Sequence, residues 1–220
     1  MKGGKVVRFQ LGFVPTATEN RATCAAFLRR LIERGFAPAE GLLVVLDGAK
    51  GLRAAVEEVW GARAQVQRCQ WHKRENVVGH WPERAKVGWR RRLQQAYGQP
   101  TYAAAHAALL RCHRERRLLN VDAAASLLEG LEDTLTVHRL GVVATMGVSF
   151  RTTNVAESIM AQVGQRVAKV DHWRTSDQKH RWCAAALLEL EPRLRNVKGF
   201  RHLETLVTAL RSGTTISRAA

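Results

Sequence analysis

The sequence predicts an α/β fold whose strand and helix alternation is interrupted by an all-helical insertion. Three observations predict it. Leu42 to Leu46 is a continuous, partly β-branched apolar run that stops at Asp47-Gly48, as a strand buried on both faces of a parallel sheet would read. Helical patterns lie on both sides of that run, and a further strand-like segment, Ala64 to Cys69, follows the second helix. From Lys73 to about Arg139 the pattern turns wholly helical, with Ala103 to Leu110 and Ala123 to Leu131 as its clearest apolar faces.

Taken in order, Lys5 to Val14 mixes Val, Phe and Leu in partial alternation and ends at Pro15, which predicts a strand closing into a loop. Thr18 is the expected cap of a helix from Glu19 to Arg34. Its apolar residues Ala22, Ala25, Ala26, Leu28, Leu31 and Ile32 recur at helical spacing opposite Arg21, Arg29, Arg30 and Glu33, and Gly35 stops it. A second helix spans Leu52 to Trp60. Past the insertion, a helix from about Thr153 to Ala168 carries Glu157 in its first turn, and another runs from about Ser176 to Leu190, ending before Pro192. The resulting division is a partial α/β core over 1–75, a helical insertion over 76–148, the C-terminal part of the core over 149–212 and a frayed tail over 213–220.

Composition narrows the partners. The 220 residues are 46% hydrophobic, enough for a full core, and carry 35 Lys plus Arg against 19 Asp plus Glu, a formal charge of +16 and a pI near 10.9. Such an excess favours polyanions, nucleic acid first, with a merely basic surface as the bland alternative. Four irregularly spaced cysteines and no secretory leader pattern point to the cytoplasm, and no apolar run has the length of a membrane span. A glycine-rich phosphate loop is absent, which argues against a nucleotide cofactor, and without Gly-x-Ser-x-Gly acyl transfer has no support.

Parallel strands with helical crossovers present their functional groups at the strands' carboxyl ends, where Asp47 falls. Asp47 and Glu157, delivered from a strand end and a helix start, could together hold one Mg²⁺ or Mn²⁺ and act as catalytic acids, activating water or a 3′-hydroxyl for in-line attack on a phosphodiester. The plainer readings are an Asx turn at Asp47-Gly48 and, for Glu157, a first-turn acid complementing a helix dipole with Thr153 or Asn154 as the cap. Cys69 and His72, three apart, are mirrored by His180 and Cys183. A Cys₂His₂ zinc site, a polar role for His72 beside Asp47, and satisfied structural residues are the alternatives. Arg84, Lys86, Arg90, Arg91 and Arg92 crowd around Trp89, in a stretch (73–120) with 11 Lys plus Arg against 3 Glu. They form either a phosphate-backbone contact or a solvated helix face.

The strings Ala17-Thr18-Glu19-Asn20, Leu46-Asp47-Gly48-Ala49-Lys50-Gly51-Leu52, Gln67-Arg68-Cys69-Gln70-Trp71-His72-Lys73-Arg74-Glu75-Asn76-Val77 and Arg151-Thr152-Thr153-Asn154-Val155-Ala156-Glu157-Ser158 resemble Mutator-type bacterial insertion-sequence transposases. So does the tail from Gln178 through Glu191-Pro192-Arg193-Leu194 to Lys198-Gly199-Phe200, and the likeness runs from about Lys5 to Leu210. The resemblance implies a ribonuclease-H-like core, an Asp-Asp-Glu metal triad, a helical insertion before the Glu and a Cys-x-x-His motif after the second Asp. Asp47 then corresponds to the second Asp, Glu157 to the Glu, and Cys69 with His72 to the Cys-x-x-His motif. The implied partner is double-stranded DNA, as element ends and target, with Mg²⁺ or Mn²⁺ and a homo-oligomeric complex. The family places a DNA-recognition domain and the strand bearing the first Asp ahead of these motifs. Residues 1–46 contain no Asp, and Glu19, on a helix, is a poor substitute. The expectation is an incomplete core lacking its first strand, a transposase catalytic domain inactive alone. The alternatives are a non-catalytic DNA-binding remnant that occupies element ends or joins full-length transposase, and a host nuclease of the same fold.

Overall fold

A computed structural model of the chain describes residues 10–14, 16, 18–39, 41–168, 170, 172 and 175–218. Its α/β unit begins with helix α1 (Arg21–Glu33), strand β1 (Leu42–Leu46), helix α2 (Lys50–Trp60) and strand β2 (Ala64–Arg68). The strands pair in parallel, from Leu42 opposite Ala64 to Leu46 opposite Arg68. Alternation along β1 divides its side chains between two cores. Val44 and Leu46, with Val66 of β2, pack on Leu28, Leu31, Ala55 and Val56 of α1 and α2, whereas Leu43 joins Val137, Met146, Leu206 and Leu210 on the opposite face.

Both faces of β1 are therefore covered, as its unbroken apolar run predicts, yet only Leu46 is fully buried. Among the described residues the sheet has two strands and not three. Residues 5–9 of the expected first strand lie outside the described residues, and 10–14 form none: the Gln10 N–H donates to Glu191 Oε1 at 2.9 Å and its side-chain amide to the Gly12 carbonyl. The cap of α1 is Asn20, whose Oδ1 accepts the Thr23 N–H at 2.9 Å. Thr18, the expected cap, accepts instead from the Asn20 amide. Gly51 explains how tightly these two helix starts meet, because a Cβ there would stand 2.6 Å from the Glu19 carbonyl.

From Gln70 onward every regular element among the described residues is helical: α3 (Gln70–Gly79), α4 (Glu83–Tyr97), α5 (Tyr102–Arg117), α6 (Val121–Leu128), α7 (Leu131–Thr134), α8 (Thr136–Arg139), α9 (Val143–Phe150), α10 (Asn154–Val167), α11 (Ser176–Leu190) and α12 (Leu203–Arg218), with short 3₁₀ turns at Glu191–Arg193 and Phe200–His202. Helices α3 to α7 enclose a core of their own around Val77, Leu93, Leu109 and Leu127, while α10 and α11 pack through Val163, Ala186, Leu187 and Leu190. Where a frayed tail is expected after Ser212, α12 continues to Arg218, anchored upstream by Leu206 and Leu210. Residues 219 and 220 lie outside the described residues.

A buried polar seam joins the sheet to the helices. The Gln67 amide donates to the Thr134 carbonyl at 2.8 Å and its oxygen accepts the Val137 N–H at 2.8 Å. Gln70 donates to the same Thr134 carbonyl, and the Thr136 hydroxyl donates to the Val66 carbonyl. These contacts satisfy backbone groups at the junction of α7 and α8, which neither short helix can satisfy internally. Gln67→Leu keeps the volume but strips the Val137 N–H of its acceptor. It is expected to cost about 1–3 kcal/mol, read as a lower urea midpoint by far-ultraviolet circular dichroism.

Candidate functional site

Asp47 and Cys69 each lie one residue beyond a strand, so the parallel register sets them side by side at the carboxyl ends. The Cys69 N–H donates to the Leu46 carbonyl at 2.6 Å, carrying the ladder one step further. Cys69 is also the N-cap residue of α3, which places His72 in the helix's first turn on the same face. The segment entering α10 docks against this corner: the Gln70 N–H donates to the Arg151 carbonyl at 2.9 Å, and the Thr153 N–H to Cys69 Sγ at 3.4 Å.

Docking brings Glu157 to the imidazole. His72 Nδ1 stands 3.7 Å from Glu157 Oε1, and the Thr153 hydroxyl lies between them, donating to Oε1 at 2.5 Å and 3.3 Å from Nδ1. Thr153 is thus the N-cap residue by position, but its hydroxyl serves the carboxylate and makes no capping bond. One donor atom from each of Cys69, His72 and Glu157 lies within 4.8 Å of the other two. Cys69 is fully buried, His72 half-buried and Glu157 exposed, so the trio opens to solvent on the carboxylate side.

Asp47 does not belong to that donor group. It is exposed, and its Oδ1 accepts the Ala49 N–H at 3.0 Å, the Asx turn of the plainer reading. A magnesium ion demands near-octahedral oxygen coordination. The donors gathered around Glu157 are a thiol and an imidazole, so the described residues do not fit Mg²⁺ at this point. The Cys₂His₂ arrangement is not formed either. His180 stacks on Phe13 with centroids 4.7 Å apart, and Cys183 packs beside the α10–α11 core, because α11 carries both away from Cys69 and His72. Asn154, first residue of α10, is exposed and lines a cleft with Trp71, Arg74 and Arg151.

The basic cluster on α4 divides in two. Trp89 is buried in the helical core and stacks on Trp81 at 4.8 Å, which corrects its expected place on a nucleic-acid face: helical spacing turns it inward with Leu93. Arg92 lies over its ring and pairs with Glu115 at 2.6 Å, while Lys86 pairs with Glu83 and Arg90 with Glu75. Arg84 and Arg91 are exposed and make no ion pair among the described residues.

The described residues thus give a basic α/β protein with a metal-capable donor set at its strand ends. The family model for transposases of the Mutator family matches residues 5–193, and the chain belongs to that family. A transposase role in general, with DNA as the partner and dependence on a divalent metal, goes with that membership. No curated protein and no solved structure matches the chain. No helix among the described residues is long and apolar enough to cross a membrane.

Beside Asp47-Gly48 lies a charge cluster that sequence patterns do not disclose. The Arg68 guanidinium is clasped between Gly48 (φ +116°) and Gly130 (φ +63°), where an added Cβ would come within 2.8 and 2.7 Å of it. Arg68 donates to the Glu129 carbonyl at 2.9 Å and to its carboxylate at 3.2 Å, and the buried Lys73 ammonium donates to the same carbonyl. Burial raises the Glu129 carboxyl, but Arg68 and Lys73 outweigh it and hold it below the usual carboxylate value. Burial, then repulsion from Arg68, lowers Lys73 to about 8 against the attraction of Glu129. Between pH 8 and about 10.5, the ordinary lysine value, the unfolded chain therefore retains a proton that the folded one has released, and raising pH favours folding. Over that window the wild type is expected to gain more stability than Lys73→Met, as followed by urea denaturation at a series of pH values.

Proposed function

We propose that this chain is the catalytic domain of an insertion-sequence transposase, acting in metal-dependent cleavage of element ends and their transfer to target DNA. The observation that carries the proposal is the docking of Glu157 onto the Cys69–His72 corner at the strand ends, inside the segment that matches the family. A ribonuclease-H-like core over 1–75 and 149–212, opened by a helical insertion over 76–148, is supported by the parallel β1–α2–β2 unit and by the separate core of α3 to α7.

The residues have distinct tasks in this reading. Glu157 is the catalytic acid contributed by α10, and Thr153 fixes its carboxylate. Asp47 is the acid at the end of β1, on the rim of the same corner. The donor group found among the described residues takes Glu157 without Asp47, so Mg²⁺ or Mn²⁺ would need further oxygens, and residues 1–46 supply no Asp. Arg84 and Arg91 are free to meet phosphates, and the exposed Trp71 with Arg74 and Arg151 lines a cleft open to a DNA strand. Double-stranded DNA is the substrate, and a homo-oligomer holds two element ends together.

The Asx turn at Asp47 favours a second reading, a DNA-binding protein without catalysis. Incubation of the chain with linear DNA carrying element ends separates the two. Weak nicking in Mg²⁺ or Mn²⁺ that Glu157→Gln abolishes is expected, whereas binding that persists in EDTA with no nicking in either ion would establish the second. Arg84→Ala and Arg91→Ala are each expected to reduce the salt slope of DNA binding by about 1, measured by fluorescence anisotropy. Trp89→Ala should instead cost about 3–5 kcal/mol of stability.

A further inference from the structure

We propose that Cys69, His72 and Glu157 form a binding site for a borderline transition-metal ion of the zinc class. The inference rests on the transposase reading only in that one of its ligands, Glu157, is the catalytic acid of that reading. Two segments far apart in the chain deliver the donors: Cys69 and His72 from the corner between β2 and the first turn of α3, and Glu157 from the first turn of α10. Each is already oriented. Cys69 Sγ is fixed by the Thr153 N–H, the Glu157 carboxylate by the Thr153 hydroxyl, and His72 by its three-residue offset from Cys69 and an edge-to-face contact with Trp71, ring centroids 4.9 Å apart. Neighbouring groups that aim the ligands in this way are what metal sites require.

Donor chemistry selects the ion. A thiol sulfur, an imidazole nitrogen and a carboxylate oxygen suit zinc or cobalt, whereas magnesium calls for oxygen alone. Distances agree. Tetrahedral zinc with bonds of about 2.0–2.3 Å separates its ligand atoms by roughly 3.3–3.7 Å, and His72 Nδ1 and Glu157 Oε1 stand 3.7 Å apart. The greatest separation in the trio, no more than 4.8 Å, closes with a side-chain adjustment of about 1 Å, for which the exposed Glu157 has room. Three protein ligands leave a fourth position open, the form of a zinc site that works on a substrate and not one that only braces a fold.

Cobalt titration of the metal-free, reduced 220-residue chain tests the site without DNA. One equivalent of Co²⁺ is expected to produce a sulfur-to-cobalt charge-transfer band that Zn²⁺ abolishes and excess Mg²⁺ does not. Cys69→Ser should remove the band, His72→Ala and Glu157→Gln should each weaken cobalt binding by at least about tenfold, and Cys183→Ser should leave it intact. Circular dichroism of each variant separates loss of the site from loss of the fold, and His72 and Glu157, being solvent-accessible, keep the test alive if Cys69→Ser unfolds. Absence of the band, its survival in Cys69→Ser, or displacement of Co²⁺ by equimolar Mg²⁺ would overturn the proposal. A chain that binds no cobalt yet cuts DNA leaves the transposase reading standing, and one that binds cobalt without cutting leaves the metal site standing.

Discussion

Everything at the strand ends depends on how the backbone is pinned on either side of Cys69. Its N–H closes on the Leu46 carbonyl and the next N–H closes on the Arg151 carbonyl, while its sulfur accepts the Thr153 N–H. One residue therefore ends a strand, starts a helix and receives a segment more than eighty positions later in the chain. Because Cys69 is wholly buried, these bonds are shielded from competing water, which raises the cost of breaking any of them. A substituent larger than sulfur would push Thr153 away and take the Glu157 carboxylate with it.

The helical body is attached to this corner by polar groups more than by apolar ones. Gln67, Gln70, Thr134 and Thr136 form a seam in which amides and hydroxyls meet backbone groups, and Arg68 and Lys73 converge on Glu129 at its margin. Apolar residues could fill that space, but they would leave the short helices α7 and α8 with unmet backbone groups. Hydrogen-bond geometry also admits one register only, whereas apolar contacts tolerate sliding. Buried charge is a poor source of net stability, and the lowered proton affinity of Lys73 is the sign of its desolvation.

Periodicity made much of this legible. Leu42 to Leu46, Ala64 to Arg68 and the long helix from Ser176 to Leu190 are elements whose apolar pattern and terminators agree with their tertiary setting. The three-residue spacing of Cys69 and His72 was equally readable, but not the helical turn that joins them, since helix was expected only from Lys73 and α3 begins at Gln70. What could not be read was which distant group would meet it. Asp47 and Glu157 invite pairing as two acids, and the docking of Arg151–Thr153 also brings Glu157 to sulfur and imidazole. Trp89 misleads for a related reason: an aromatic among arginines reads as a binding surface, and only the inward face it shares with Leu93 reveals it as core. Gln67 and Lys73 carry no sequence signal, because a polar residue next to a strand end is usually exposed.

The positive excess bears on how an ion can be held at all. Ion pairing removes one cation for each acid, so the excess of 16 persists however many pairs form, and pairing decides only where it is felt. Glu75, Glu115 and Glu129 are each tied to arginines or lysines, while among the described residues Asp47 makes no ion pair and Glu157 pairs with His72 alone among ionisable bases. Over a Debye length of about 8–10 Å the surrounding field favours a phosphate and opposes a free divalent cation. Two carboxylates offset little of such a field. A thiolate and a carboxylate carry the same formal charge as two carboxylates, so what the Cys69 corner offers an ion in such a field is sulfur and nitrogen donors and not a larger countercharge.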